Sequence, residues 1–336
     1  MKLIEHLKGK IVLQSKLCFS LSVLGIFSLA HAGDFQHYVQ QLRTQALQDG
    51  YSQQLVEQAF NDVKFQKKVV HSDKNQPEFR LTLDTYIPRA LPKWKVAKAR
   101  ALYREYLPLL QKLEKKYDVQ PRFIVALWGI ESNFGQFTGK YDVMSSLVSL
   151  AYEGRREDFF RRQINAALKM MKVDHVSRAM LKGSWAGAMG QVQFMPGTFL
   201  QYAVDEDGNG QRDIWNSIPD ALGAAANYLH HLQWRSDMTW GRQVHIPVNF
   251  NYKNQSFQSP RLLSKWQKLG VRRYDGSDLP HRDIKARLVV PDDKNGRIYL
   301  VYTNYQALLK WNRSNYFAVT VGTLADRIGY PRIIEK

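Results

Sequence analysis

The sequence predicts a mainly helical protein of the α+β class, in which a helical body carries a small β insertion. Apolar residues recur at helical spacing through most of the chain before Trp240. After Trp240 the chain changes to short β-rich stretches separated by turn residues, and residues 304–328 return to the helical pattern. The 336 residues allow two or three subdomains, and an aromatic content of 12% excludes a disordered chain.

Helices are predicted where apolar side chains recur every three to four positions. Pro121 suits the first turn of a helix that runs to about Glu131 and stops near Gly135. Residues 82–88 are predicted to form a connector, and Pro108 predicts a kink within a helix over residues 93–117. The other predicted helices are two short ones in residues 36–65, and one each in 158–171, 220–232 and 304–328, the last with an irregular stretch at 312–315.

Strands are predicted in VHIPVNF, ARLVV and RIYLVY, which are rich in β-branched and aromatic residues. A turn-forming run, DDKNG at residues 292–296, separates the last two. The chain shows no internal repeat and no low-complexity linker. We therefore expect these strands to form one small β unit.

The first 32 residues have the features of a secretory signal. Four lysines precede an apolar stretch at residues 17–29, which is too short to span a bilayer comfortably. Ala30-His31-Ala32 then gives a small-x-small cleavage site, with a mature start near Gly33. The alternative is a membrane anchor. Cys18, the only cysteine, lies in this segment with Lys16 close before it, which argues against lipid attachment and leaves the mature chain without thiols.

The formal net charge is +18, of which the leader contributes three units. A basic exported protein can meet nucleic acid, an anionic membrane surface or an acidic polymer. The basic residues are dispersed along the chain, with no long Lys/Arg block and no nucleic-acid-binding signature. Outside the cytoplasm an anionic wall polymer is the favoured partner.

Glu131 directly follows FIVALWGI, a stretch that carries no charge. If a helix ends there, desolvation and the negative end of the helix dipole both disfavour the carboxylate and raise its pKa. A carboxyl group that keeps its proton near neutral pH can serve as a general acid. The alternative is a glutamate that points into water at a solvated helix end.

The segment GSWAGAMGQVQFMP, residues 183–196, combines glycines with uncharged polar groups and aromatic rings. Its hydroxyl and amide groups come from Ser184, Gln191 and Gln193, beside rings such as Phe194. Polar groups next to flat apolar surface suit a sugar, whose edges are polar and whose faces are rich in C–H groups. A tightly packed helix pair would use the same glycines and alanines.

The segment DEDGNGQRDIWNSIPD, residues 205–220, begins like an EF-hand calcium loop, with oxygen-bearing residues at alternate positions and a glycine for the turn. It departs from that pattern at the twelfth position, where Asn216 stands in place of glutamate. A metal-free Asx turn is the alternative. The predicted ligands of a structural Ca²⁺ are Asp205, Asp207, Asn209, Gln211 and Asp220.

No other catalytic signature is present: the chain has no HExxH, no GxSxG, no P-loop and no dinucleotide fingerprint. Ordinary glycosidases need two carboxyl groups that flank the bond. Asp142 is the one plausible partner of Glu131, and a turn or helix cap is the favoured role for it. The next acidic residues, Glu153, Glu157 and Asp158, belong to a polar, Arg-rich stretch typical of surface.

These three segments, in this order, resemble the lytic murein transglycosylase B family (glycoside hydrolase family 103) over roughly residues 39–328. IVALWGIESNFG is similar to the family's catalytic helix, KGSWAGAMGQVQFMP to its glycan-lining segment and DEDGNGQRDIWNSIPDAL to its calcium loop. Shorter matches are DTY at 84–86, AANYL at 225–229 and KWNRSNYFAVTVGTLADRI near the end.

The resemblance implies a lysozyme-like helical core with a flanking α domain and a small β domain. The expected division is an N-terminal α domain at 33–115, a catalytic core at 116–238, a β domain at 239–302 and a helical return to the core at 303–336. It also implies periplasmic, non-hydrolytic cleavage of the β-1,4 bond between N-acetylmuramic acid and N-acetylglucosamine, leaving a 1,6-anhydro end.

In that family reading Glu131 is the only acid and base, so a single carboxyl group is enough. The resemblance implies that the chemistry needs no cofactor and that the substrate is a glycan strand and not nucleic acid. It also implies a monomer, with wall-synthesis or wall-remodelling proteins as possible partners. Phe317 stands where tyrosine is expected, so a phenolic contact is lost or shifted to Tyr316. The residues implied to bind substrate are Tyr86, Ser184, Gln193, Phe194, Tyr228, Trp311 and Asn312. A muramidase that uses water and a non-catalytic wall-binding protein are the alternatives.

Overall fold

A computed structural model of the chain describes residues 23–74, 81–254 and 259–329, and the side chains from residue 34 onward. The predicted secretory leader, including Cys18, lies largely outside these residues. In the described ranges, no helix is both long enough and apolar enough to cross a membrane.

Fourteen helices lie in the described ranges, and they make up most of the fold. They are α1 (Val23–Gln48), α2 (Gln53–Phe60), α3 (Lys67–Lys74), α4 (Leu83–Ala90), α5 (Lys93–Glu105), α6 (Leu107–Tyr117), α7 (Pro121–Ser132), α8 (Val143–Tyr152), α9 (Glu157–Val173), α10 (Pro196–Tyr202), α11 (Ile218–His231), α12 (Leu263–Lys268), α13 (Thr303–Trp311) and α14 (Asn315–Gly329).

Local sequence explains where several of these helices begin. The side chains of Ser52, Asp142 and Ser217 each accept the backbone N–H three residues further on, which satisfies a donor that the first turn leaves free. Pro121 opens α7, where its missing N–H costs nothing. Asn133 ends α7 in the left-handed conformation that asparagine tolerates.

The prediction of a connector at residues 82–88 is wrong, because most of that stretch belongs to helix α4. Leu83 and Ile87, one turn apart, are both completely buried, and the Leu83 N–H donates to Asp292 Oδ2 at 2.9 Å. Tertiary packing and this remote cap outweigh Pro88, whose ring disfavours a helix interior. Neither effect is visible in the local sequence.

The predicted kink at Pro108 is a full break between two helices. α5 ends at Glu105 and α6 begins at Leu107, with Tyr106 between them outside the helical conformation. A proline in the second position of a helix is favourable, whereas one in the interior removes a hydrogen bond and clashes with the preceding turn. Ending one helix and starting another avoids both costs.

The strands form two antiparallel sheets in the described residues. β1 (Tyr141–Asp142) pairs with β2 (Lys182–Gly183) near the predicted functional segments. The other five form one sheet in the order β4-β6-β7-β3-β5, and they are β3 (Gly241–His245), β4 (Arg261–Leu262), β5 (Arg272–Arg273), β6 (Lys285–Val289) and β7 (Ile298–Val301). One face of this sheet covers its own apolar cluster around Trp266, separate from the helical core.

Helix α7 lies at the centre of the helical core, where it packs against α5, α6, α11 and α14. Nine of its twelve residues are buried, which fits the uncharged run at residues 123–130, since a helix that is apolar on all sides must be covered on all sides. Glu131 therefore lies at the end of a helix that is packed against other helices on most of its sides.

Candidate active site

The chain reverses direction immediately after Glu131. Asn133, Phe134 and Gly135 adopt three consecutive left-handed conformations, with φ of 52°, 62° and 78°. This turn folds the Phe134 ring back onto Gly129, where a Cβ would lie only 2.7 Å from the ring. Glycine at position 129 is therefore required for the helix end to close in this way.

We expect Gly129→Ala to destabilise the protein by about 1–3 kcal/mol, because the added methyl group overlaps the Phe134 ring. Denaturant unfolding measures the loss. In a double-mutant cycle with Phe134→Leu, the alanine should cost less when the ring is smaller. Equal costs in both backgrounds would contradict the close packing at this turn.

Gln191 links the glycine-rich segment to helix α7. Its Oε1 accepts the Trp128 indole N–H at 2.9 Å, and its Nε2 donates to the Trp215 carbonyl at 3.2 Å. The Ser132 hydroxyl donates to the Gln191 carbonyl at 2.6 Å and accepts the Gly135 N–H at 2.9 Å. Buried polar contacts of this kind fix the relative position of the two segments.

Glu131 is partly buried, and its Oε1 accepts the indole N–H of Trp311 at 2.7 Å. Burial raises the pKa of Glu131 to about 8, while the hydrogen bond from Trp311 lowers it. Loss of hydration is the larger effect. The carboxyl group therefore stays protonated up to roughly neutral pH, as a general acid requires.

Aromatic rings surround the residue that holds Glu131. The Trp311 ring lies 5.0 Å from that of Tyr228 and 5.5 Å from that of Phe194, and Tyr202 stacks on Tyr228 at 4.4 Å. Phe194 is almost fully buried and supports the other rings, whereas Tyr228 and Trp311 are half-buried. The structure thus brings three of the sequence-predicted binding residues together, and one of them, Trp311, bonds Glu131 directly.

Ser184 and Gln193 lie in the loop between β2 and α10. The Ser184 hydroxyl accepts the Ala188 N–H at 3.1 Å. Gln193 has a φ of 50°, and its amide donates to the carbonyls of Thr138 and Gly190. Both side chains brace the loop, and the amide of Gln193 ties it to the segment that follows Glu131.

The glycines of this loop serve close chain packing. A Cβ at Gly183 would meet the Ala188 carbonyl at 2.2 Å, and one at Gly190 would meet Ile214 at 2.7 Å. The packing alternative from the sequence is thus partly right, although the glycines pack turns and not a helix pair. The same compact turns fix the position of the aromatic residues in this segment, such as Phe194.

Tyr86 packs against helix α14, and Asn312 ends helix α13. The Tyr86 ring meets that of Tyr316 edge-on at 5.3 Å, and Asn312 is exposed directly after Trp311. The Tyr316 hydroxyl donates to the Leu81 carbonyl at 2.6 Å and to Asp292, so it joins α14 to α4 and to the β6–β7 loop. Phe317 is half-buried against the main core.

Asp142 caps helix α8 and does not act as a free carboxylate. It accepts the Ser145 N–H at 2.7 Å and forms an ion pair with Arg178. Burial alone would raise its pKa, but hydrogen bonds from Arg178 and Ser145 hold the pKa below its ordinary value. The cap reading of the sequence is therefore confirmed, and this residue is committed to structure.

The acidic loop 205–220 brings carboxylate oxygens of Asp205, Asp207 and Asp220 within 4.8 Å of one another. Asp205 accepts the N–H groups of Gly208, Asn209 and Gly210, which curls the loop around its carboxylate. Asp220 is completely buried and accepts three further N–H groups, from residues 206, 207 and 213. Hard oxygen donors in a tight ring form a donor set that Ca²⁺ prefers.

Sequence reasoning missed three features of this region. Trp311 was predicted only to line the groove, yet it bonds Glu131 directly. Gln191 was noted as polar but not as the link between segments, and Tyr202 was not identified although it extends the ring cluster. Nothing in the sequence around Tyr202 set it apart from an ordinary residue of a short helix.

The fold is of the lysozyme-like type, and the chain belongs to the transglycosylase SLT domain family, whose model matches residues 34–326. The fold class predicted from the sequence is confirmed.

Three relatives show how close the likeness is. The chain is 29% identical to membrane-bound lytic murein transglycosylase B of Escherichia coli K12 over 239 residues, which is 69% of this chain and 63% of that relative. Pseudomonas aeruginosa SltB3, solved with NAG-anhNAM-pentapeptide, is 39% identical, with a TM-score of 0.83 over 88% of this chain and 80% of that one. Escherichia coli Slt35, solved with calcium, shares the fold at 24% identity, with a TM-score of 0.75 over 88% and 94% of the two chains.

Proposed function

We propose that this protein is a lytic transglycosylase that cleaves the β-1,4 bond between N-acetylmuramic acid and N-acetylglucosamine without water. The observation that carries the proposal is Glu131, a carboxyl group with a pKa of about 8 beside a cluster of aromatic rings. The likeness to SltB3, whose ligand contains an anhydro-muramic sugar, supports the anhydro product.

In the proposed reaction Glu131 first donates its proton to the glycosidic oxygen, and the C1–O bond breaks. The substrate's N-acetyl group stabilises the positive charge at C1. Glu131, now a carboxylate, then removes the proton from the C6 hydroxyl of the same muramic sugar, and that oxygen bonds to C1. The proton balance closes, so Glu131 returns to its starting state.

One carboxyl group is sufficient for this sequence because the nucleophile comes from the substrate. Hydrolytic glycosidases use a second carboxylate to position water or to attack C1. The only second carboxylate that the sequence offered is Asp142, which is held by Arg178 and the start of α8. Its engagement favours transglycosylation over hydrolysis.

The proposed groove is lined by the half-buried rings of Tyr228 and Trp311, with Phe194 beneath them. Flat rings suit the C–H faces of sugars. Ser184 and Gln193 are proposed to contact sugar substituents with the lone pairs that the loop leaves to them, and Tyr86 and Asn312 to contact the strand further along. These roles extend the family resemblance to positions that lie in the same region.

Product analysis on purified peptidoglycan tests the proposed reaction. Anhydro products weigh one water less than hydrolytic products, and mass spectrometry of digested sacculi separates them. We expect anhydro ends throughout. Reducing ends would identify a hydrolytic muramidase, and intact sacculi that still bind the protein would identify a non-catalytic wall-binding protein.

We also propose that the loop 205–220 binds a structural Ca²⁺. The residues fit the ion because three carboxylates converge and Asn209 lies on the same turn, where its Oδ1 accepts the Gln211 N–H. The ligands would be the side chains of the three aspartates and Asn209 with the backbone carbonyl of Gln211, as in an EF-hand. The ion would neutralise the repulsion among the carboxylates and takes no part in the reaction.

We expect chelation with EGTA to lower the Tm and added Ca²⁺ to restore it, because an ion that binds only the folded state stabilises it by mass action. Asp205→Asn should abolish this response. Asp293→Asn is the matched control, since Asp293 also accepts N–H groups in an exposed turn but stands outside the cluster. A Tm that does not change when EGTA is added would contradict the proposed Ca²⁺ binding.

The proposed location is the periplasm, since the predicted leader directs export and the proposed substrate lies there. We further propose the division into an α domain at 33–115, a catalytic core at 116–238, a β domain at 239–302 and a closing helical segment at 303–336. The separate apolar cluster around Trp266 supports an independent β unit. Protein partners, if any, would meet the enzyme on the wall.

A further inference from the structure

The stretch that includes helix α5 is richer in cations than the chain as a whole. Between Arg89 and Lys116 there are nine lysine and arginine residues but only two glutamates, Glu105 and Glu114. The whole chain carries a formal charge of +18, so this short stretch contributes far more than its share. The basic residues are dispersed in sequence, and helical geometry gathers several of them on one surface.

The outward face of α5 is defined by Lys93, Ala97, Arg100 and Arg104, all of which are exposed. Their spacing of three or four residues places them in one line along the helix. In the described part of the chain, none of the three cations in this line forms a salt bridge. Arg100 donates its Nε–H to the Arg327 carbonyl at 2.6 Å, which holds the guanidinium against the body and leaves its charge uncompensated.

Trp94 stands at the start of this face, with 55% of its surface exposed. A large exposed indole beside lysines is unfavourable in water but typical of side chains that sit at the boundary between lipid headgroups and acyl chains. The opposite side of α5 packs on α7 and α14, and Lys98 lies over the Phe134 ring at 5.4 Å. The face is thus the exposed side of a helix that is fixed by its packing on α7 and α14.

We propose that this face of α5, formed by Lys93, Trp94, Arg100 and Arg104, is a docking surface for an anionic phospholipid bilayer. An exposed row of cations matches the negative potential of a headgroup plane, and the indole inserts at its boundary. A glycan strand would instead need a concave groove with sugar-binding edges. Docking here does not depend on which bond the enzyme cleaves.

Co-sedimentation with vesicles tests the proposal, using the leader-free chain from Gly33, whose core residues begin at Phe35. We expect binding to vesicles of equimolar phosphatidylcholine and phosphatidylglycerol, weak binding to phosphatidylcholine alone, and loss of binding at high salt. The triple variant Lys93→Gln, Arg100→Gln, Arg104→Gln should bind the anionic vesicles at least about tenfold more weakly.

A matched control removes the same charge from another exposed helix. Arg162→Gln, Lys169→Gln and Lys172→Gln change three exposed cations on α9, and this variant should bind vesicles like the wild type. Both triple variants should keep their activity on sacculi, which shows that they are folded. Trp94→Ala should weaken binding without altering its dependence on salt.

Three results would overturn the proposal. The first is equal binding of the wild type to both kinds of vesicle, which would show that the negative charge of the lipid is not recognised. The second is equal loss of binding in the two triple variants, which would indicate a general charge effect. In the third case, the α5 variant would lose binding to sacculi in a Glu131→Gln background while its vesicle binding stayed intact, which would assign the surface to the acidic wall polymer. If only the α5 variant loses wall cleavage, that result tests the proposed function, and the vesicle assay alone tests the docking surface.

Discussion

Glu131→Gln lowers the rate of sacculus digestion at least about 10³-fold, because one side chain supplies both the proton for the leaving oxygen and the base for the C6 hydroxyl. Glutamine has nearly the same shape and can still accept the Trp311 indole N–H through its carbonyl oxygen. Binding to glycan strands should therefore persist. Turbidity of a sacculus suspension measures the rate, and pull-down of sacculi measures binding.

The matched control is Glu57→Gln, which removes a carboxyl group from an exposed helix position where it only accepts a bond from Gln53. Its digestion rate should equal that of the wild type. If the Glu131 variant still releases anhydro products at a comparable rate, the acid lies elsewhere and the proposed mechanism is wrong.

The pH dependence of stability gives a second readout for the same variant. The pKa of Glu131 is raised from an ordinary value of 4.5 to about 8 in the folded state, so the folded protein holds this proton more tightly than the unfolded chain. The contribution of Glu131 to stability is complete below pH 4.5 and declines as the pH rises through 8. Glutamine does not ionise, so the Tm of the variant relative to the wild type should rise over this range.

The environment of Glu131 could be predicted because it is encoded locally. The uncharged run that begins at Phe123 predicts a buried helix, and the residues after it predict where the helix ends. A carboxyl group at the end of a buried helix is expected to lose hydration, and the structure shows this loss at Glu131. The same reasoning identified the acidic loop, whose alternating side chains bind the backbone of their own turn.

Features that depend on distant contacts could not be predicted in this way. The residue that bonds Glu131 lies 180 positions further along the chain. Helix α4 is stabilised by Asp292, more than 200 residues away, against the local signal of Pro88. Helix α8 also escaped prediction: nearly all its residues are buried, and with serines among apolar residues it shows no amphipathic period.

Trp311→Phe should slow turnover by about tenfold to a hundredfold, because the indole N–H fixes one oxygen of the Glu131 carboxyl group and leaves the other for the substrate. Phenylalanine keeps an aromatic ring against Tyr228 and Phe194 but has no N–H donor. The free carboxyl group would then rotate, and fewer encounters would find it in the reactive orientation.

The pH profile distinguishes this role from simple packing. The Trp311 bond favours the ionised form and so lowers the pKa of Glu131. Without it the pKa rises, and the alkaline limb of kcat/KM, above which the acid has lost its proton, moves to higher pH. Measurement of kcat/KM on a soluble glycan fragment between neutral and alkaline pH would record the shift.

Trp240→Phe is the matched control, since the Trp240 indole donates to the Asp326 carboxylate at 3.0 Å, the same type of bond at a site away from Glu131. Its loss should lower the Tm and leave the pH profile in place. If Trp311→Phe slows the enzyme while the alkaline limb stays where it was, Trp311 acts only as a wall of the groove. A shifted limb that accompanies the slower rate is the signature of a residue that positions the acid, because phenylalanine keeps an aromatic ring at this place and removes the N–H donor to Glu131.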